Sequence, residues 1–141
     1  MASRKLTDLS PFMQEKAKRF LQLCQVSNID YMIYCTYRSG EEQEKLYEFG
    51  RTRPGKIVTY AQGGKSKHNI IVNGVAASEA WDGVPLINGK PLWSLYIMDT
   101  TNRRMIHPVW EKVLEIGRSI ELESGQDWKK FREACHWQRK G

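Results

Sequence analysis

Two stretches of this chain carry side chains whose types and spacing could do chemistry together. The first runs from Ser66-Lys67-His68 to Ala80-Trp81-Asp82 and holds a histidine and a carboxylate in a Gly/Ser-containing connection. The second is Glu133-Ala134-Cys135-His136-Trp137, where a carboxylate stands three residues before another histidine. Two neutral imidazoles and one carboxylate suit a zinc ion, with a fourth position left for water and a further carboxylate available as base. The same residues also fit purely structural duties, His68 as a loop residue and His136 as an edge-strand histidine hydrogen-bonded to Glu133. The remaining histidine, His107, precedes Pro108 and reads as a surface or capping residue. Cys135 is a rival ligand, but in a strand it would point away from His136.

These side chains need a scaffold, and the flanking pattern supplies one. Ser10-Pro11 opens a helix whose apolar positions Met13, Ala17, Phe20, Leu21 and Cys24 recur at helical spacing. Tyr31 to Tyr37 is aromatic and β-branched, a strand that ends at Arg38-Ser39-Gly40. Ser39 and Glu42 form a capping-box pattern for a second helix, so Arg38 sits at a strand-to-helix junction that can aim its guanidinium into a cleft. The alternative is a surface arginine paired with Glu41 or Glu42. A basic loop from Gly50 to Lys56 precedes a short strand at Ile57 to Tyr60. Strand-like alternation at Glu79 to Asp82 turns Trp81 toward the core and Asp82 toward the opposite face. Asn88-Gly89 marks a hairpin, Pro108 opens a helix with Val109, Val113, Leu114, Ile116 and Ile120 inward, and Glu133 to Gln138 is a last strand.

Composition narrows the function classes. With 141 residues, no internal repeat and no shift in composition, residues 1–141 are expected to form one domain. No window approaches the ~20 apolar residues of a membrane span, and the N-terminus lacks an apolar signal region. Cytoplasmic synthesis is therefore expected. Three cysteines at wide spacing argue against a disulfide framework. A net charge of +6 favours a polyanionic partner, for which nucleic acid, anionic lipid and the bacterial wall all qualify. Arg51, Arg53, Lys56, Lys65 and Lys67 gather in sequence beside His68.

Taken in order, several pieces resemble the zinc D,D-carboxypeptidase and phage L-alanyl-D-glutamate endolysin family of peptidoglycan peptidases. They are Tyr37-Arg38-Ser39, Gly50-Arg51-Thr52 with Pro54-Gly55 and Val58-Thr59, Ser66-Lys67-His68, and Ala80-Trp81-Asp82. Pro85, Asn88-Gly89-Lys90, Trp93 and Glu133 to Trp137 complete the series. The resemblance implies His68, Asp82 and His136 as Zn2+ ligands and Glu133 as the base that activates the attacking water. It makes Arg38 the group that stabilises the oxyanion and contacts substrate, with Ser66 beside the substrate. It also implies an α+β fold, a small mainly antiparallel sheet flanked by helices, similar to the D-Ala-D-Ala peptidase and hedgehog domains. The implied protein is a monomeric, phage-type endolysin that hydrolyses peptidoglycan stem peptides after release from the host cytoplasm. Neither nucleic acid nor stable membrane insertion is expected. A D,D-carboxypeptidase, or a non-catalytic wall-binding module on the same fold, is the alternative.

Three departures from the family pattern stand out. The family places its first histidine seven residues before the aspartate, whereas His68 and Asp82 are fourteen apart, and Ser78 stands where a glycine is usual. The extra residues, Asn69 to Val75, are expected to bulge out as a loop, with Glu79 as the substitute ligand if Asp82 does not reach. Cys135 replaces the proline common before the last histidine.

Overall fold

The computed structural model describes residues 2–141. The apolar stripe after Ser10-Pro11 becomes α1 (Pro11–Val26), and the Ser10 Oγ accepts the Met13 backbone N–H at 3.2 Å. Ser39 caps α2 (Gly40–Glu48) in the same way, and α3 (Pro108–Ser119) is capped by His107, whose Nδ1 accepts from Val109 N–H. His107 is thus a capping residue, as its position before Pro108 implies. In chain order the strands are β1 (Asp30–Cys35), β2 (Ile71–Val72), β3 (Val75–Ala76), β4 (Ala80–Ile87), β5 (Lys90–Pro91), β6 (Tyr96–Met98), β7 (Arg104–Ile106), β8 (Leu122–Gly125) and β9 (Glu133–Arg139). The architecture is the expected α+β.

The main sheet is antiparallel in the order β1-β4-β9-β8, with β5 folded back on β4 through Asn88-Gly89. Strand alternation gives the sheet two unlike faces. Trp81, Leu122 and Trp137 lie on the face toward α1 and α3 and pack with Phe20, Trp110 and Val113 into the core. Phe20 is the hub, its ring lying 4.8 Å from Tyr31, 5.4 Å from Trp81 and 5.5 Å from Trp137, the two Trp contacts edge-on. Such edge contacts match the electron-rich ring faces to positive edges and add to area burial. Asp82 and His136, the sequence neighbours of Trp81 and Trp137, occupy the other face.

The structure gives three segments a definite form. Asn69 to Val75 leaves the sheet as a loop, as expected, and is ordered: β2 and β3 pair as a hairpin with Asn73 and Gly74 both at positive φ, the turn an Asn-Gly dipeptide favours. Ile57 to Tyr60, expected as a strand, is a strap outside the strands that side chains hold at its end. Gln43 Nε2 donates to Ala61 O at 2.9 Å, and Arg51 Nη1 donates to Thr59 O at 3.1 Å. Asp99 to Arg104 holds the turn and the first residue of the second strand of a β6–β7 hairpin.

Gly117 lies in α3 directly beneath the Trp137 ring, so an added Cβ would overlap the ring carbons. Alanine gains about 1 kcal/mol of helix propensity, against about 1–3 kcal/mol for forcing a group into a packed core. Gly117→Ala is expected to destabilise the protein by up to about 2 kcal/mol, read from the denaturant midpoint at unchanged slope.

Cys24, Cys35 and Cys135 are all free thiols. Burial pushes each to about 12, with the Asp82 charge adding to the effect at Cys35 and Cys135. At pH 8 the thiolate fraction is then on the order of one in ten thousand. Iodoacetamide is expected to label none of the three at that pH until denaturant unfolds the chain, and mass spectrometry of the time course reads the result.

Candidate active site

Sheet register builds the centre of the site. Cys35 of β1, Asp82 of β4 and His136 of β9 are direct cross-strand partners, so they form one row across three neighbouring strands. Two irregularities flank this row, one between Ile33 and Cys35 and one where β8 passes from Ser124 to Gly125 opposite β9. Bulges of this kind re-aim side chains beside active sites. The second brings Glu133 within 4.0 Å of His136 Nδ1. His68 arrives from a different direction, on the 3₁₀ turn Lys67–Asn69, which Ser66 caps by accepting the His68 backbone N–H.

Asp82 is the meeting point of these groups. Its Oδ1 lies 3.1 Å from His136 Nδ1 and 3.3 Å from His68 Nε2, and the two imidazole centroids are 5.1 Å apart. His68 Nδ1 lies 2.8 Å from Thr36 O, which can only accept, so Nδ1 carries the proton and Nε2 is the bare nitrogen of the neutral ring. That Nε2 is buried without a hydrogen-bond partner. A buried nitrogen lone pair, a second imidazole and a carboxylate converging on one point form a donor set suited to a divalent metal such as zinc.

The electrostatics follow from this packing. Burial alone would raise the Asp82 pKa, but the charge of His68 and the hydrogen bonds that His136 and His68 donate when their rings are protonated outweigh it and hold the carboxyl well below the usual range, whereas metal ligation takes the neutral rings. Burial likewise disfavours a charge on His136, yet Asp82 raises its pKa overall, helped by Gln138 and Glu133. Glu133 is raised by burial and by the Asp82 charge, against His136 and Arg38.

A second donor set exists, since Cys35, His68 and Asp82 offer ligand atoms within 4.8 Å of one another, the one such group of three found among the described residues. It is the poorer one. The Cys35 Sγ lies 3.8 Å from the His68 nitrogen already committed to Thr36, and it accepts from the Arg38 Nη2 at 3.3 Å. A thiol held neutral by burial, with a guanidinium against it, is a weak rival to His136. Glu79 is not a rival, since it bonds to Ser10 and pairs with Arg139.

Arg38 points into the site. Its Nη1 donates to Gln43 Oε1 at 3.0 Å and its Nη2 stands 3.6 Å from Asp82 Oδ2, so it is not simply a surface arginine, and Glu41 pairs with Lys45 instead. Sequence reasoning missed Gln43, a buried amide that ties Arg38 to the strap through Ala61 O. Arg38, Ser66, His68, Asp82, Glu133 and His136 all line one cleft of about 590 Å³, roofed in part by Thr59 and Tyr60. Lys65 and Lys67 line it as well. Arg51 and Arg53 do not, because they stack on Tyr47 and Phe49 instead.

Comparison with known proteins supplies the family. The VanY profile, described as D-alanyl-D-alanine carboxypeptidase, matches residues 7–74, a span that holds Arg38, Ser66 and His68 and stops inside the β2–β3 turn. Over 130 residues the chain is 34% identical to the peptidoglycan L-alanyl-D-glutamate endopeptidase CwlK of Bacillus subtilis, covering 92% of this chain and 72% of that protein. The chain therefore belongs to the VanY-type family of peptidases. Its fold is similar to that of the Serratia marcescens L-Ala D-Glu endopeptidase ChiX, with a TM-score of 0.61 at 16% identity over 99% of this chain and 89% of that one.

The two donor sets make opposite predictions. His68→Ala, Asp82→Ala and His136→Ala are each expected to abolish stoichiometric zinc binding. Cys35→Ser is expected to keep it within a few-fold of wild type, as read by competition with a chromophoric chelator.

Proposed function

We propose that this chain is a zinc-dependent peptidoglycan peptidase that hydrolyses the L-Ala–D-Glu bond of stem peptides. The observation that carries the reading is the convergence of His68 Nε2 and His136 Nδ1 on Asp82 Oδ1, with Glu133 beside them in a cleft that also holds Arg38. The likeness to CwlK, which covers most of both chains, supports the choice of bond.

His68, Asp82 and His136 would hold the metal. Zinc there, when bound, supplies the positive charge that acidifies water and polarises a carbonyl. Glu133 takes a proton from the attacking water and returns it to the leaving amine. Its pKa, raised by burial and by the Asp82 charge, makes it a stronger base than an exposed carboxylate. Arg38, pinned by Gln43, presents fixed positive charge where the carbonyl oxygen becomes negative. Ser66 lines the same cleft and is placed to contact the peptide. Lys65 and the exposed aromatic Tyr60 suit an anionic wall polymer. The protein acts as a monomer, of phage-endolysin type, made in the cytoplasm and reaching the wall on release. No helix among the described residues is long and apolar enough to cross a membrane.

The VanY match favours one second reading, removal of terminal D-Ala by the same residues. Digestion of isolated peptidoglycan separates the two. New D-Glu amino termini are expected, and release of free D-Ala in their place would shift the assignment to a carboxypeptidase. Glu133→Gln is expected to lower turnover by about 10²–10⁴ while keeping wall binding. A chelator should abolish cleavage and added zinc restore it. Undiminished hydrolysis by Glu133→Gln would remove the catalytic role given to this residue.

A further inference from the structure

His136 has a second nitrogen, and what it meets is not part of the chemistry described so far. Its Nε2 lies 2.9 Å from Gln138 Oε1. The two residues are i and i+2 on β9, so they share a face of the strand. Gln138 Nε2 in turn donates to Glu123 Oε2 on β8 at 2.9 Å, and the same oxygen accepts Trp128 Nε1–H at 2.9 Å. Trp128 also packs its ring on His136, with centroids 4.9 Å apart.

The order of donors in this chain is forced. A carboxylate can only accept, so Glu123 turns the NH₂ end of Gln138 toward itself and the carbonyl end toward His136. A carbonyl oxygen can only accept, so His136 Nε2 must carry its proton. With Nε2 protonated, Nδ1, the nitrogen that faces Asp82, is the one whose lone pair the neutral ring offers to a metal. We infer that Gln138 and Glu123 are positioning residues that set the tautomer and ring orientation of His136, and through it the metal affinity of the site. This rests on the assignment of His136 as a ligand. Partners behind a ligating histidine are worth about 10- to 100-fold in metal affinity.

The test measures zinc affinity by competition with a chromophoric chelator, and the visible spectrum of the Co²⁺-loaded protein. Gln138→Leu removes the acceptor, and Gln138→Met, closer in length, is carried beside it in case the first fails to fold. Each is expected to weaken zinc binding about 10- to 100-fold and to alter the Co²⁺ spectrum, with the thermal midpoint of the metal-free protein little changed. The exchange variant Gln138→Glu with Glu123→Gln keeps an acceptor toward His136 and a donor behind it. It is expected to recover affinity to within a few-fold of wild type and to restore the spectrum. Wild-type affinity and spectrum in Gln138→Leu or Gln138→Met would overturn the inference, as would an exchange variant no better than those two. His136→Ala distinguishes the failures. Intact zinc binding in that variant would sink the ligand assignment, whereas lost binding there with unaffected Gln138 variants would sink the relay alone.

Discussion

The structure depends on how one buried carboxylate is compensated. Asp82 sits mid-sheet with its side chain 13% exposed, and an isolated charge in such a place would cost several kcal/mol. It is held ionised because two imidazoles and a guanidinium reach it from three directions: His136 from the next strand, His68 from a turn, and Arg38 from the start of α2. Each of those groups is anchored in turn by a neutral acceptor, Thr36 O for His68, Gln43 for Arg38 and Gln138 for His136. The arrangement stores negative charge at one point and keeps its partners oriented, which is what a divalent cation requires of a preformed site.

The two faces of the sheet divide the labour. One face is a rigid aromatic layer in which Phe20, Trp81 and Trp137 interlock. The other carries the chemistry, one residue along from each tryptophan. A shift of Trp81 or Trp137 would therefore move Asp82 or His136 by the same amount. Tight packing under the site is how a small domain keeps ligand positions to a few tenths of an ångström.

Much of this was legible in the sequence, and the reasons are specific. Alternation at Ala80-Trp81-Asp82 gave the facing of both strand residues, and helical spacing after Ser10-Pro11 located α1. His68, Asp82, Glu133 and His136 stood out as residue types with metal and acid–base chemistry, and the structure brings all four together. Gln43, Gln138 and Glu123 did not stand out, because amides and single carboxylates carry no periodic signal and acquire meaning only from what faces them. Gln138 had one clue, its i+2 relation to His136. The Asn73-Gly74 hairpin was as readable as Asn88-Gly89, but a two-residue strand on each side leaves little alternation to detect. Ile57 to Tyr60 has strand propensity but lies outside the strands, and side-chain bonds to Thr59 O and to Ala61 O hold it in place.

The β2–β3 hairpin separates the first proposed ligand from the second by seven more residues than is usual, and yet the two side chains meet. Its base is closed by Ala77 N–H donating to Ile70 O at 2.9 Å, and below that Glu79 N–H donates to Lys67 O at 3.0 Å. Everything beyond this clasp, including the exposed Ile71, Val72 and Val75, projects away from the sheet. Contour length between the two ligands is thereby uncoupled from the distance between them. Evolution can lengthen, shorten or recode the excursion, and a foreign peptide could be spliced into its tip, while the metal-binding geometry stays under the control of the clasp alone.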